Sequence, residues 1–159
     1  MKKVITLIAT SLLIATAAQA QMSITTPSQS LKLTFKGAQT VGDDVELTLL
    51  ITNLAEAETV VNLVGGQYQT GMSGSVAFDT EGNIYELADV LVSMGNKSYT
   101  EQYSACSVPA GVPVKCHVLV KNVDKAATAL TKVKLCVLAP QLGVTASGVC
   151  FELNNVSFK

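Results

Sequence analysis

Apolar and polar residues alternate with a period of two along most of this 159-residue chain. The clearest run spans residues 45–53, in which Val45, Leu47, Leu49 and Ile51 share one face. Such alternation is typical of a half-buried β-strand, since successive side chains point to opposite faces of a sheet. A chain built from such strands buries its apolar faces by packing one sheet against another.

Further strand patterns follow at short intervals, with turn residues between them, at residues 31–35, 59–64, 75–79, 84–87, 90–94, 98–106, 114–122, 132–138 and 148–158. Residues 124–130 carry the one helix signal, which is too short to form a stable helix alone. The pattern predicts an all-β fold, an antiparallel Ig-like β-sandwich of seven to nine strands. A closed barrel is the alternative that the pattern leaves open.

The first twenty residues have the features of a secretory signal peptide. Lys2 and Lys3 precede an apolar run at residues 4–15, and Ala18 and Ala20 form a cleavage site. That run is shorter than the ~20 residues of a membrane-spanning helix, and no later stretch is long and apolar enough to span a membrane. We expect cleavage before Gln21, a polar N-terminal arm at residues 21–30, one domain at residues 31–159, and a periplasmic or extracellular location.

Charge argues against a nucleic-acid partner. Without Lys2 and Lys3, nine lysines oppose twelve acidic residues, a net charge of −3, and the chain contains no arginine. Phosphate recognition depends on basic patches and on bidentate arginine in particular. The lysines are also spread along the chain, so no basic patch is expected.

Four cysteines, Cys106, Cys116, Cys136 and Cys150, lie in the C-terminal third of the chain. An even number in an exported protein predicts two disulfides. An antiparallel pairing of residues 132–138 with 148–153 that sets Leu135 opposite Phe151, Val133 opposite Leu153 and Val137 opposite Val149 also sets Cys136 opposite Cys150. We therefore predict a Cys136–Cys150 bridge, which leaves Cys106 to pair with Cys116.

Three short stretches carry a resemblance to a known family. Residues 45–53 form a strand that ends in an asparagine, Asp79, Gly82 and Tyr85 lie in a turn motif, and residues 109–111 form a Pro-x-Gly step before the next strand. This arrangement resembles secreted bacterial Ig-like domains of the immunoprotective extracellular or telomeric-repeat-factor-like type. The resemblance implies an exported Ig-like module and supplies no catalytic residues.

The residue types do not specify a catalytic or metal site. His117 is the single histidine, and alternation places it on the polar face of its strand. No serine has the G-x-S-x-G context of a hydrolase, and the cysteines lack the spacing of a zinc site. The acidic pairs Asp43 with Asp44 and Glu56 with Glu58 fit solvated turns. We predict a protein that is not an enzyme and that uses no cofactor or metal.

Tyrosines in glycine-rich and polar segments are the best candidates for binding. Tyr68 and Met72 lie at residues 65–74, and Tyr99 and Tyr103 lie at residues 96–103. Tyrosine is a favoured anchor in loops on β-sandwich scaffolds, although the same residues could instead cap the ends of the core. We expect an interaction module that contacts a protein or glycan partner through end loops. The alternative is a structural, pilin-like subunit, and the sequence does not fix the oligomeric state.

Overall fold

The computed structural model describes residues 21–67, 74–144 and 149–159. The predicted signal peptide, Tyr68 and Met72 lie outside the described residues. The described chain is all β and forms two packed antiparallel sheets. Pro140–Leu142 forms a short 3-10 turn. No helix within these three ranges is long and apolar enough to cross a membrane.

Eleven strands lie within the described residues, and we number them in chain order: β1 Ser23–Thr25, β2 Leu31–Val41, β3 Asp44–Asn53, β4 Thr59–Val64, β5 Val76–Asp79, β6 Ile84–Tyr85, β7 Val90–Met94, β8 Tyr103–Val108, β9 Pro113–Val120, β10 Ala129–Leu138 and β11 Cys150–Ser157. The all-β prediction is confirmed, but the predicted count of seven to nine strands is too low. The three residues of β1 are too few for alternation to be recognised in a sequence, whereas β6 falls within the predicted run at residues 84–87.

The smaller sheet contains four strands in the order β2-β3-β9-β7. Its centre is β3, whose alternating residues Val45, Leu47, Leu49 and Ile51 are buried as the sequence predicts. The same register brings Cys116, Val118 and Val120 of β9 onto this inner face. The opposite face of β3 carries Glu46 and Thr48 and is only partly buried.

The larger sheet contains seven strands, with β1-β11-β10-β4-β8 as its main path. The first half of β10 pairs with β5 on the edge away from β11, and its last residues pair with β4 on that edge. The short strand β6 pairs with β5. Strands β5 and β4 thus follow one another along the same side of β10.

Residues from both sheets form one core between them. Phe151, Leu135 and Leu153 contribute from the larger sheet, and Leu47 and Leu49 contribute from the smaller one, all with no exposed surface. Full burial of such a side chain stabilises the fold by about 1.5–3 kcal/mol. The core therefore holds the two sheets together and fixes the positions of the loops at either end.

The predicted Cys136–Cys150 disulfide is confirmed. The two residues face each other in the β10–β11 ladder, with Leu135 opposite Phe151 and Val133 opposite Leu153. The amide of Val137 donates to the carbonyl of Val149 at 3.0 Å, which places the cysteines in the adjacent non-hydrogen-bonded pair. The alternation of apolar residues along the two strands therefore predicted the correct partner for Cys136.

The predicted Cys106–Cys116 bridge is wrong, because both residues carry free thiols in the structure. Cys106 lies on β8 at the edge of the larger sheet, whereas Cys116 lies on β9 inside the smaller sheet. The segment around residues 109–111 carries the chain from one sheet to the other instead of closing a hairpin. The prediction paired these two cysteines because they were the pair left once Cys136 was assigned to Cys150 and an even number of cysteines was expected to form two bridges.

The predicted polar arm contains a strand. In β1, Ile24 lies opposite Leu153 of β11, and Met22 and Ile24 pack against the core. Only these two apolar residues alternate in the segment, so the sequence pattern was too short to reveal the strand. The start of the described chain is therefore anchored to the larger sheet.

Candidate binding cleft

The turn between β5 and β6 is built around the carboxylate of Asp79. Its Oδ1 accepts hydrogen bonds from the amides of Glu81 and Asn83, each at 2.9 Å. Its Oδ2 accepts from Asn83 Nδ2 at 2.9 Å and from the hydroxyl of Tyr85 at 2.6 Å. Gly82 has a φ of +88°, which favours glycine. The Asp-x-x-Gly-x-x-Tyr pattern is thus explained by turn structure.

Tyr85 connects this turn to the loop between β9 and β10. Its hydroxyl donates to Asp79 and accepts from the amide of Asp124 at 3.0 Å. Burial, followed by the hydrogen bond to Asp79, raises the pKa of Tyr85. Burial alone would also raise the pKa of Asp79, but the hydrogen bonds from Tyr85, Asn83 and Glu81 outweigh it and lower that pKa. The tyrosine therefore stays protonated beside an ionised aspartate.

Two hydrogen bonds, one to a backbone carbonyl and one to a side chain, also hold the β9–β10 loop to the turn between β2 and β3 and to the start of β3. The amide of Val123 donates to the carbonyl of Asp43 at 2.8 Å, and the amide of Asn122 donates to Asp44 Oδ1 at 3.0 Å. Asp124 Oδ1 then accepts from the amide of Ala126 at 2.8 Å and shapes the next turn. Loops from distant parts of the sequence are thus fixed side by side.

A cleft of about 490 Å³ lies between these loops, and we call it the end cleft. Its lining residues are Thr40, Gly42, Asp43, Val45, Val123, Asp124, Lys125, Ala127, Thr128 and Phe158. Four of them, Val45, Val123, Ala127 and Phe158, are apolar and buried or partly buried. Apolar walls with a few polar groups, at volumes of about 300–1,000 Å³, are typical of ligand sites.

An ion pair spans the two loops at the end cleft. Lys125 Nζ lies 3.2 Å from Asp43 Oδ1, with side chains that are 86% and 62% exposed. Exposed pairs of this kind contribute little stability, because water and salt screen them. An incoming charged group can therefore displace either partner at small cost.

A second cleft of about 380 Å³ adjoins the end cleft, and we call it the side cleft. Its lining residues are Asn83, Ile84, Tyr85, Asp89, Lys121, Asn122 and Asp124. Asp124 belongs to both clefts, and Ile84 is 58% exposed. This end of the molecule therefore combines exposed apolar surface with several carboxylates.

Tyr99, a predicted binding residue, lies over the outer face of the smaller sheet. Its hydroxyl donates to Glu46 Oε1, while Gln39 Nε2 donates to Glu46 Oε2 at 2.8 Å. The bond from Tyr99 is the main reason that the pKa of Glu46 is lowered, and burial followed by Glu46 raises the pKa of Tyr99. The ring is about one-third exposed, so it offers limited area to a partner.

His117 joins the same cluster. Its Nδ1 lies 3.6 Å from Glu46 Oε1 and 3.4 Å from Thr48 Oγ1, and its ring meets Tyr99 edge to face. The histidine lies on the polar side of its strand, as the sequence predicts. In the part of the chain that the structure describes, no group of three acidic, cysteine or histidine side chains is placed to hold a metal ion.

Tyr99 and Tyr103, the two predicted binding residues that the structure describes, contact different sheets. Tyr103 begins β8 of the larger sheet and is half exposed, whereas Tyr99 contacts the smaller sheet. Tyr68 and Met72 lie outside the described residues. Sequence reasoning missed the end cleft, although two of its acidic residues were noted, Asp43 in a predicted turn and Asp124 at the start of the helix signal.

Comparisons with known proteins gave no match with a protein-family model, with a curated protein or with a solved structure.

Proposed function

We propose that this protein is an exported, non-enzymatic interaction module of the bacterial envelope that binds a protein or glycan partner through its end loops. The observation that carries this proposal is the end cleft, which is formed by the β2–β3 turn, the β9–β10 loop and Phe158 and has an apolar floor and a charged rim. The clustered hydrogen bonds of Asp43, Asp44, Asp124 and Tyr85 support it, because they hold those loops in place before a partner arrives.

We also propose that the fold is Ig-like, and the strand order supports this assignment. Ig constant-type domains have strands A-B-E-D in one sheet and C-F-G in the other. When β2, β3, β4, β7, β9, β10 and β11 are taken as A to G, the sheets β2-β3-β9-β7 and β11-β10-β4 follow that order. The remaining strands, β1, β5, β6 and β8, are then additions. This order agrees with the resemblance to secreted bacterial Ig-like domains.

Two observations support export. Residues 1–20 have the charge and hydropathy pattern of a signal peptide. Independently, Cys136 and Cys150 form a disulfide, and disulfides persist in oxidising compartments such as the periplasm or the cell exterior. Together they favour a protein that works outside the cytoplasm.

A variant that fills the end cleft tests the proposed site. Thr128 is exposed and lines the cleft, so Thr128→Trp should block it without disturbing the core. Thr26→Trp is the matched control, because Thr26 is exposed and lies near the opposite end of β11, next to Thr25, which pairs with Glu152. We expect wild-type protein and Thr26→Trp to capture the same partner from envelope extract, and Thr128→Trp to lose it by about tenfold. Equal capture by all three proteins would place the site elsewhere.

The alternative, a self-assembling structural subunit, has support in β1. This strand pairs with β11 at a sheet edge, and Ile24 packs on the core, as a strand exchanged between subunits would. Light scattering after size exclusion separates the two functions. A monomer over a wide concentration range supports the binding module, whereas assembly that is lost on deletion of residues 21–25 supports the subunit.

A further inference from the structure

We infer that the end cleft takes a basic and partly apolar segment of a partner protein, in which a lysine or arginine lies next to an aliphatic or aromatic residue. This inference rests on the proposed function and specifies its ligand class. It follows from the charges at the mouth of the cleft, the apolar surface of its floor and the weak ion pair between its walls.

The mouth of the end cleft contains more negative than positive charge. Asp43 and Asp124 provide two carboxylates, and Lys125 provides one ammonium group. Lys125 pairs with Asp43, while the ion pairs among the described residues leave Asp124 without a cation. The one hydrogen bond to Asp124 Oδ1 comes from a backbone amide, which does not neutralise the charge. A cationic group on a ligand would therefore complement the excess negative charge at this mouth.

The neighbouring side cleft extends the same charge pattern. Asp89 lies there with Lys121, and Asp124 forms part of its wall. Asp44 lies close by, where it holds the amide of Asn122. Lys159 also lies at this end, where its carbonyl accepts from the amide of Thr40 at 2.9 Å. Four aspartates thus outnumber three lysines around the two clefts, and the excess negative charge attracts cations over about one Debye length, ~8–10 Å.

The apolar floor of the end cleft favours a ligand that has an apolar side chain next to its cationic one. Val45, Val123 and Ala127 are less than a tenth exposed, and Phe158 completes the wall. Each apolar group that covers this floor gains about 25 cal/mol per Å² removed from water. Arginine and lysine also bury their aliphatic stems while the charged group stays near the carboxylates.

The ligand can take the place of Lys125 in the ion pair with Asp43. Lys125 is 86% exposed and is bound only through an exposed contact with Asp43. A ligand guanidinium can contact Asp43 and Asp124 while Lys125 moves into water. Since the lysine competes for the same carboxylate, its removal should strengthen binding, and this sign is specific to a cationic ligand.

Three acetylated peptide amides of equal length test the ligand class: arginine–leucine–arginine, glutamine–leucine–glutamine and glutamate–leucine–glutamate. Their dissociation constants for the mature protein are measured by titration, with amide chemical shifts to locate the contact. We expect the basic peptide to bind at least about fivefold more tightly than the neutral one, to shift the amides of residues 42–43 and 122–128, and to lose affinity at high salt.

Four variants test the residue assignments. Asp43→Asn and Asp124→Asn should each lower the affinity for the basic peptide by about threefold to fivefold, whereas Lys125→Met should raise that affinity by a similar factor. Asparagine keeps the oxygen that accepts from Ala126, so Asp124→Asn preserves the turn. Lys32→Met is the control, because this exposed lysine lies at the opposite end of β2 and should not change the affinity.

The outcomes separate this inference from the proposed function. Equal affinity for the three peptides, a preference for the acidic peptide, or weaker binding of Lys125→Met would overturn the cationic ligand class. If Thr128→Trp loses capture from envelope extract and any of these results is also found, the end cleft remains the binding site and only the ligand class is wrong. Capture that survives protease treatment of the extract but is lost after glycosidase treatment would show that the ligand is a glycan and not a basic protein segment.

Discussion

At the scale of single residues, the hydroxyl of Tyr85 is a structural link between two loops. It is buried and bonds both the carboxylate of Asp79 and the amide of Asp124. Tyr85→Phe leaves these buried groups without a partner, so we expect a loss of about 1–3 kcal/mol in the free energy of unfolding, measured by urea denaturation.

Tyr99→Phe removes the same atom from a tyrosine whose ring is about one-third exposed and serves as the matched comparison. Water replaces the lost partner of Glu46 there, so the expected cost is below about 1 kcal/mol. Equal costs for Tyr85→Phe and Tyr99→Phe would contradict the link that Tyr85 makes between the loops.

Asp79 should make stability depend on pH in the acid range. Its pKa is lowered from 3.8, because hydrogen bonds outweigh the effect of burial. A group with a lowered pKa stabilises the fold fully above its ordinary pKa and loses that contribution as the pH falls through the folded value. We expect the stability advantage of wild type over Asp79→Asn to be constant near pH 7 and to shrink below about pH 4. An advantage that is equal at pH 3 and pH 7 would show that Asp79 is not responsible.

At the scale of strands, the Cys136–Cys150 disulfide connects β10 to β11 across a sequence separation of 14 residues. Closing a loop of this length stabilises a fold by about 3 kcal/mol, mainly by restricting the unfolded chain. We expect the double variant Cys136→Ala with Cys150→Ala to lose about that amount in urea denaturation. Cys106→Ala, which removes a free and partly exposed thiol, should cost less than about 1 kcal/mol.

The free thiols provide a separate test of the strand arrangement. Cys116 is fully buried in β9, and burial raises its pKa to about 12, whereas Cys106 is partly exposed on β8. Iodoacetamide should therefore modify Cys106 in the native protein and Cys116 only on unfolding, because the thiolate is the reactive form. A non-reducing peptide map in which Cys106 is linked to Cys116 would contradict this arrangement.

The strands show which parts of the fold can be predicted from the sequence. Alternation located β3, β4 and β7 to within one or two residues, and it also gave the register of β10 against β11. It missed β1, which has only Met22 and Ile24 as apolar residues. The wrong pairing of Cys106 with Cys116 came from elimination, and alternation could not correct it, because it gives the direction of a side chain but not the sheet to which its strand belongs.

At the scale of the whole molecule, the end cleft could not have been predicted. Its walls come from the β2–β3 turn, the β9–β10 loop and Phe158 near the described C-terminal end. Each segment taken alone is an ordinary turn or chain end, so Asp43 was interpreted as a solvated turn residue and Asp124 as the start of a short helix signal. The pairing of β3 with β9 places the turn beside the loop, and the packing of the larger sheet adds Phe158. Both depend on contacts between residues distant in sequence.

The central claim is that a partner contacts this end of the molecule, and photo-crosslinking tests it most directly. Benzoylphenylalanine is placed at residue 128 on the rim of the end cleft or at residue 26 near the opposite end of β11, and each protein is irradiated in envelope extract. The account predicts a defined crosslinked species from position 128 that excess arginine–leucine–arginine amide suppresses, and none from position 26. A crosslink from position 26 with none from position 128 would contradict it.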